Sequence, residues 1–177
     1  LENMLNAHVE TYHLLKAIPG SEKVKIGLVK NIFQFDPLRR WHLLDWAFSK
    51  ILNDVYTNAP LEFLKTGKSS FYMPGMVDNE MLNPEAPGTL DFIGLNYYSR
   101  MHVKGRLNPE EPFVFDTRQQ DIMTDMGYPL YAEGFYRALK TISEVEVPIY
   151  VTENGLADDK DTVRPLFIER YLYALNQ

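Results

Sequence analysis

A carboxylate stands in Thr152-Glu153-Asn154-Gly155, directly after the apolar run Val147-Pro148-Ile149-Tyr150-Val151. A Glu delivered from a buried segment into a glycine turn has two uses. It caps the loop or pairs with a cation, or it serves as a nucleophile or base where substrate enters. A second apolar run, Leu90 to Leu95, empties into Asn96, Tyr97 and Tyr98. Successive side chains of an extended chain alternate between faces, so Tyr98 rather than Tyr97 shares a face with Asn96. A phenol beside a carboxylate donates a hydrogen bond that keeps it ionised and oriented, as a nucleophile attacking an acetal carbon requires. As ordinary strand residues the two tyrosines would simply pack. Asn31, just beyond the run Val24 to Val29, is a further candidate, a second amide at a strand end beside Asn96.

These residues need strands that end at one place. Val24–Val29, Leu90–Tyr98 and Val147–Thr152 are short, apolar and rich in β-branched or aromatic residues, the pattern of buried strands. Helical spacing of apolar residues runs between and around them. It covers residues 4–18, closed by Pro19-Gly20, and 38–55, with Asp36-Pro37 as N-cap and first helical residue. It returns over 131–145 and 162–175. Residues 56–88 form a long connection with Pro60, Pro74, Pro84 and Pro87, holding a helical turn near Leu61 to Leu64. Residues 99–130 form another, in which Val103 and Phe113 to Phe115 suggest a small hairpin.

The order α, β, α, β, α, β, α implies parallel strands with right-handed crossovers, an α/β fold. A doubly wound open sheet and part of a closed (β/α) barrel both fit. Both gather ligands at the carboxyl ends of the strands, where Glu153, Tyr98, Asn96 and Asn31 lie. No Gly-x-Gly-x-x-Gly or phosphate loop follows any strand, which weakens the nucleotide-binding version.

Composition narrows the field. The chain has 177 residues, 45% of them apolar and 13% aromatic, enough to build a core. That is short for a complete eight-stranded barrel of about 250 residues. A net charge of -6 with no basic run excludes a phosphate-backbone partner. No apolar stretch approaches the roughly 20 residues of a membrane span, and the absence of cysteine removes disulfides and thiolate metal sites. The expected location is the cytoplasm, without metal or cofactor. His8 and His13 on the first helix, His42 on the second and His102 in a loop lack helical metal-ligand spacing. Trp41, Trp46 and Phe48 are expected to seat the second helix on the core rather than to stack sugars.

Leu90-Asp91-Phe92-Ile93-Gly94-Leu95-Asn96-Tyr97-Tyr98-Ser99-Arg100 and Pro148-Ile149-Tyr150-Val151-Thr152-Glu153-Asn154-Gly155 resemble two signature blocks of glycoside hydrolase family 1, the β-glucosidase family. Thr124-Asp125-Met126-Gly127-Tyr128-Pro129-Leu130-Tyr131-Ala132-Glu133-Gly134 and Lys25-Ile26-Gly27-Leu28-Val29 are similar to further segments in the same order. The resemblance spans essentially the whole chain. It implies a partial (β/α)8 TIM barrel over residues 1–177, one incomplete domain running from helix four through helix seven, with its strands the fifth to seventh. It also implies Glu153 as the catalytic nucleophile of a retaining β-glycoside hydrolase, Tyr98 as the tyrosine hydrogen-bonded to it, and Asn96 as a residue lining the sugar site.

Retention needs a second carboxylate, about 5 to 5.5 Å from the nucleophile, as acid and base. The family places it in Asn-Glu-Pro at the end of strand four, and this sequence contains no such motif, since Asn79-Glu80 precedes Met81. The expectation is therefore a truncated chain, inactive alone, whose partners are a β-glycoside or oligosaccharide substrate and the remaining barrel segments or a second copy. The alternative is a carbohydrate- or protein-binding domain of the same fold that does no catalysis.

Overall fold

One long strand organises the sheet. In the computed structural model, which describes residues 1–73 and 77–177, the elements run α1 (Glu2–Lys16), β1 (Gly27–Pro37), α2 (Leu43–Asn53), α3 (Ala59–Thr66), β2 (Lys68–Met73), β3 (Val77–Leu82), β4 (Phe92–Gly105), β5 (Phe113–Asp116), α4 (Ala132–Ile142), β6 (Ile149–Asn154) and α5 (Arg164–Leu175). A π-helical turn, Asp54–Asn58, joins α2 to α3. β4 is the long strand. β1 lies parallel along it from Gly27 opposite Phe92 to Pro37 opposite Val103, and β6 lies parallel on its other side from Ile93 opposite Ile149 to Tyr97 opposite Asn154. Beyond β6, β5 pairs antiparallel with the far end of β4, Val103 opposite Phe115, as the expected hairpin requires.

Spatial order β1-β4-β6 thus follows chain order, with every crossover helical. A doubly wound sheet reverses its strand order at a switch point, whereas a barrel adds each strand beside the last. Alternation along β4 then sorts two faces. Ile93, Leu95 and Tyr97, with Ile32 of β1, are fully buried. α4 contributes Phe135, Ala138 and Ile142 at steps of three and four to the same core, and α5 adds Phe167 and Tyr171. Each such large apolar side chain removed from water contributes about 1.5–3 kcal/mol. The other face carries Gly94, Asn96 and Tyr98 and is uncovered at its margins, with Val29 51% and Tyr150 59% exposed.

Several boundaries differ from those the sequence suggests. β1 begins at Gly27 and continues to Pro37, so Asn31 lies inside the strand, not past it. Asp36 and Pro37 are strand residues paired with His102 and Val103, and α2 starts only at Leu43 with His42 at its N-cap. Asp36 is unavailable as a cap because its carboxylate meets Arg137 at 3.2 Å and Arg100 at 3.6 Å. His102 belongs to β4 and not to a loop. Trp41 is 97% exposed and Trp46 54%, so neither seats α2, whose buried residues are Asp45 and Ser49. The connection 56–88 holds the whole of α3, with Pro60 in its first turn, and the hairpin β2-β3. Pro74 lies outside the described residues.

Candidate active site

Asn31, Asn96 and Glu153 stand side by side on three adjacent strands, Asn31 opposite Asn96 and Asn96 opposite Glu153. Parallel pairing in register brings three residues that are far apart in sequence to one level of the sheet. The register is broken at two points here. Between Ile32 and Gln34 of β1, β4 advances from Tyr97 to Arg100, one residue more than its partner, and between Leu95 and Asn96 of β4, β6 advances from Val151 to Glu153. Such bulges bend a strand and re-aim its side chains. One falls at Tyr98-Ser99 and the other at Thr152, on either side of a single contact.

That contact joins the Tyr98 hydroxyl, as donor, to Glu153 Oε2 at 2.5 Å. The hydrogen bond to the Glu153 carboxylate, with burial and the nearby negative charge, raises the Tyr98 pKa, so the phenol stays protonated and available as a donor. The Thr152 hydroxyl donates to Asn96 Oδ1 at 2.6 Å, and the Asn154 amide donates to the Tyr97 carbonyl at 2.7 Å. Glu153 is held from both sides by neighbours that fix β6 against β4, while its own side chain remains exposed. Asn31 contributes an Oδ1 that is shielded from solvent yet has no hydrogen-bond partner within the protein. An acceptor left unsatisfied in this way is suited to a ligand hydroxyl.

Gly94, two residues before Asn96, keeps this face open. A Cβ there would lie 2.9 Å from Val29 Cγ2 and 3.0 Å from Thr152 Oγ1. Any side chain at 94 would push β1 and β6 apart at the level just below the row of polar residues.

All four residues singled out from sequence therefore lie together on this sheet, and Glu153 and Tyr98 are in direct contact. Two participants were not foreseen. Thr152 enters through the bulge that turns it toward Asn96, which strict alternation cannot reveal. Tyr171 of α5 donates from its hydroxyl to the Tyr98 carbonyl at 3.0 Å. The signal for it in the sequence is faint: an aromatic one turn after Phe167.

A second polar group lies on β4 beyond the bulge. Arg100 bonds Asp121 at 2.9 Å and sits over the Tyr131 ring at 4.0 Å, and His102, 1% exposed, has Nδ1 3.4 Å from Asp121. Arg118 donates to the carbonyls of Pro37 and Leu38 at 2.7 and 3.1 Å. These bonds tie the connection after β5 onto the strand ends around the site.

The β-galactosidase of Pyrococcus woesei is 27% identical over 96% of this chain, and β-glucosidase A of Thermotoga maritima is 30% identical over 90% of it. The β-glycosidase structure from Pyrococcus horikoshii superposes on 98% of the chain with a TM-score of 0.78 and 30% identity. The chain spans 38% of the length of the first protein, 37% of the second and 38% of the third. Its alternating parallel strands and helices correspond to part of their barrel. The family model of glycosyl hydrolase family 1 matches residues 1–172, and with that match over nearly its whole length the chain belongs to glycosyl hydrolase family 1.

Proposed function

We propose that the polypeptide carrying this chain hydrolyses β-linked glucosides or galactosides with retention of configuration. The observation that carries this reading is the 2.5 Å hydrogen bond from Tyr98, at the bulge of β4, to Glu153 near the carboxyl end of β6. A carboxylate pinned through one oxygen has the other free to attack the anomeric carbon. The bond from that carbon to the leaving oxygen breaks as a second carboxylic acid delivers its proton there, giving a glycosyl ester on Glu153. Water, deprotonated by the same second carboxylate, then attacks the anomeric carbon, and the bond from that carbon to the Glu153 oxygen breaks to restore the free carboxylate.

The second carboxylate belongs to the remainder of the barrel, since no Asn-Glu-Pro occurs here. Asn31 and Asn96 bind sugar hydroxyls, and residues 1–177 form one unit of the barrel from helix four to helix seven. The names of the relatives support both sugar classes, being β-galactosidase for one and β-glucosidase for the other.

The test is to trap the intermediate. A 2-deoxy-2-fluoro-β-glycoside with a good leaving group should label the full natural polypeptide on the peptide containing Glu153, and Glu153→Ala should leave the fold intact and abolish turnover. Label on another carboxylate, or turnover at the unsubstituted rate in the variant, would sink the assignment.

A further inference from the structure

Tyr98 has an unusual backbone position. β1's register passes from Tyr97 directly to Arg100, and β6's pairing with β4 ends at Tyr97, so Tyr98 stands opposite no residue in either ladder. For such a bulged residue a contact from outside the ladders can set the direction of the peptide. The hydroxyl of Tyr171 does so, donating to the Tyr98 carbonyl at 3.0 Å.

Tyr171 is itself held on every side. It is 3% exposed, its ring stacks on Phe167 at 4.1 Å and on Phe135 at 5.5 Å, and Tyr97 lies 6.1 Å away. Its oxygen also accepts the Tyr131 backbone N–H at 3.4 Å, and the Tyr131 carbonyl accepts from the Tyr97 hydroxyl at 2.9 Å. One hydroxyl therefore links α5, the start of α4 and the bulge of β4. Burial pushes the phenol's pKa up, so it remains a donor throughout the range in which a protein stays folded.

We infer that Tyr171 is a positioning residue for catalysis, setting through the Tyr98 carbonyl the direction in which the Tyr98 hydroxyl meets Glu153. The inference rests on the function proposed above and adds to it a residue on the opposite, helix-covered face of the sheet. Small displacements of an oriented catalytic group cost rate more than affinity, because the misplacement is felt at the reacting atom and not by the sugar's remote hydroxyls.

The experiment is a double-mutant cycle on hydrolysis of an aryl β-glycoside by the full natural polypeptide. Tyr171→Phe keeps the ring and its stacks. It should lower kcat about tenfold and leave KM within about twofold. Tyr98→Phe should lower kcat at least as much, and the double variant should be no slower than Tyr98→Phe alone, since the hydroxyl being aimed is gone. Losses that multiply, or a rise in KM at constant kcat, overturn the positioning role while leaving the nucleophile assignment standing. If Tyr98→Phe is itself silent, the reading of Tyr98 fails and this inference with it. Should Tyr171→Phe not fold, 4-aminophenylalanine at 171 replaces the O–H with a weaker N–H donor. A partial loss of kcat at constant KM supports the role, and full activity overturns it.

Discussion

Asn31 and His102 are both polar groups that the protein leaves without good hydrogen bonds, and their surroundings give them opposite meanings. Asn31 borders the open row of polar residues, and its Oδ1 has no partner in the fold. Removing it therefore costs the fold little: Asn31→Ala should change stability by no more than about 0.5 kcal/mol, while KM for the glycoside rises about tenfold through loss of an acceptor for a sugar hydroxyl. A large drop in melting temperature with KM unchanged would make Asn31 structural. His102 is sealed in. Burial first, then the cations Arg100 and Arg118, hold its pKa at about 4, against the weaker opposing pull of Asp121 and Asp36. The unfolded chain takes up a proton near pH 6.5 and the folded one does not until about 4. Stability is thus complete above pH 6.5, falls as pH drops from 6.5 toward 4, and loses no more through this group below that. The linkage is worth about 3 kcal/mol at most. Urea midpoints at pH 7 and pH 4.5 measure it, and His102→Gln should flatten the difference; an equal slope in the variant would assign the loss to other groups.

At the scale of elements, α2 shows where sequence reading works and where it stops. Helical periodicity is enough to find the helix but not its start, because an Asp-Pro pair such as Asp36-Pro37 looks the same whether it caps a helix or closes a strand. What decides is a partner 66 positions away, His102 of β4, and single-sequence patterns carry no such information. The buried anchor of α2 is equally invisible. Asp45 accepts from the Arg39 backbone N–H at 2.9 Å, from the Arg39 guanidinium at 2.6 and 3.0 Å, and from the Gly105 N–H at 2.9 Å. Burial alone would push its pKa up, but these hydrogen bonds together hold it at about 2. Asp45→Ala leaves two N–H donors and a guanidinium without their acceptor and should cost about 2–4 kcal/mol by denaturant titration. The unsubstituted protein should keep this contribution above about pH 3.8 and lose it as pH falls toward 2. A variant as stable as the parent would show that Asp45 is solvated. The candidate site was legible for a different reason. Glu153, Tyr98, Asn96 and Asn31 each stand where an apolar run gives way to polar residues, and alternation separates Tyr98 from Tyr97, two signals that a sequence displays directly even though β1 and β4 continue past them. Thr152 and Tyr171 depend on bulges and on a helix packed behind the sheet, and these exist only once the strands have paired.

For the molecule as a whole, the sheet raises a question that none of its residues answers singly. Among the described residues β1 and β6 each pair with β4 alone, so the 11-residue strand β1 and the 6-residue strand β6 both present a free edge. Between those edges lies the uncovered face, where Val29 and Tyr150 are 51% and 59% exposed. Open edges beside apolar surface recruit further strands, and in a barrel the neighbouring strands of the same polypeptide fill that role. The relatives are more than twice as long as this chain, long enough to supply them. The 177 residues produced alone should therefore find a substitute in one another and run in multi-angle light scattering as a dimer or larger. The same residues within the full natural polypeptide should no longer associate through β1 and β6. Lys introduced at Val29 and Tyr150 gives the control: charge on the exposed face should return the isolated chain to a monomer without altering its far-ultraviolet circular dichroism. A strictly monomeric isolated chain would mean that its edges are protected already, and that closing the barrel is not what the uncovered face is for.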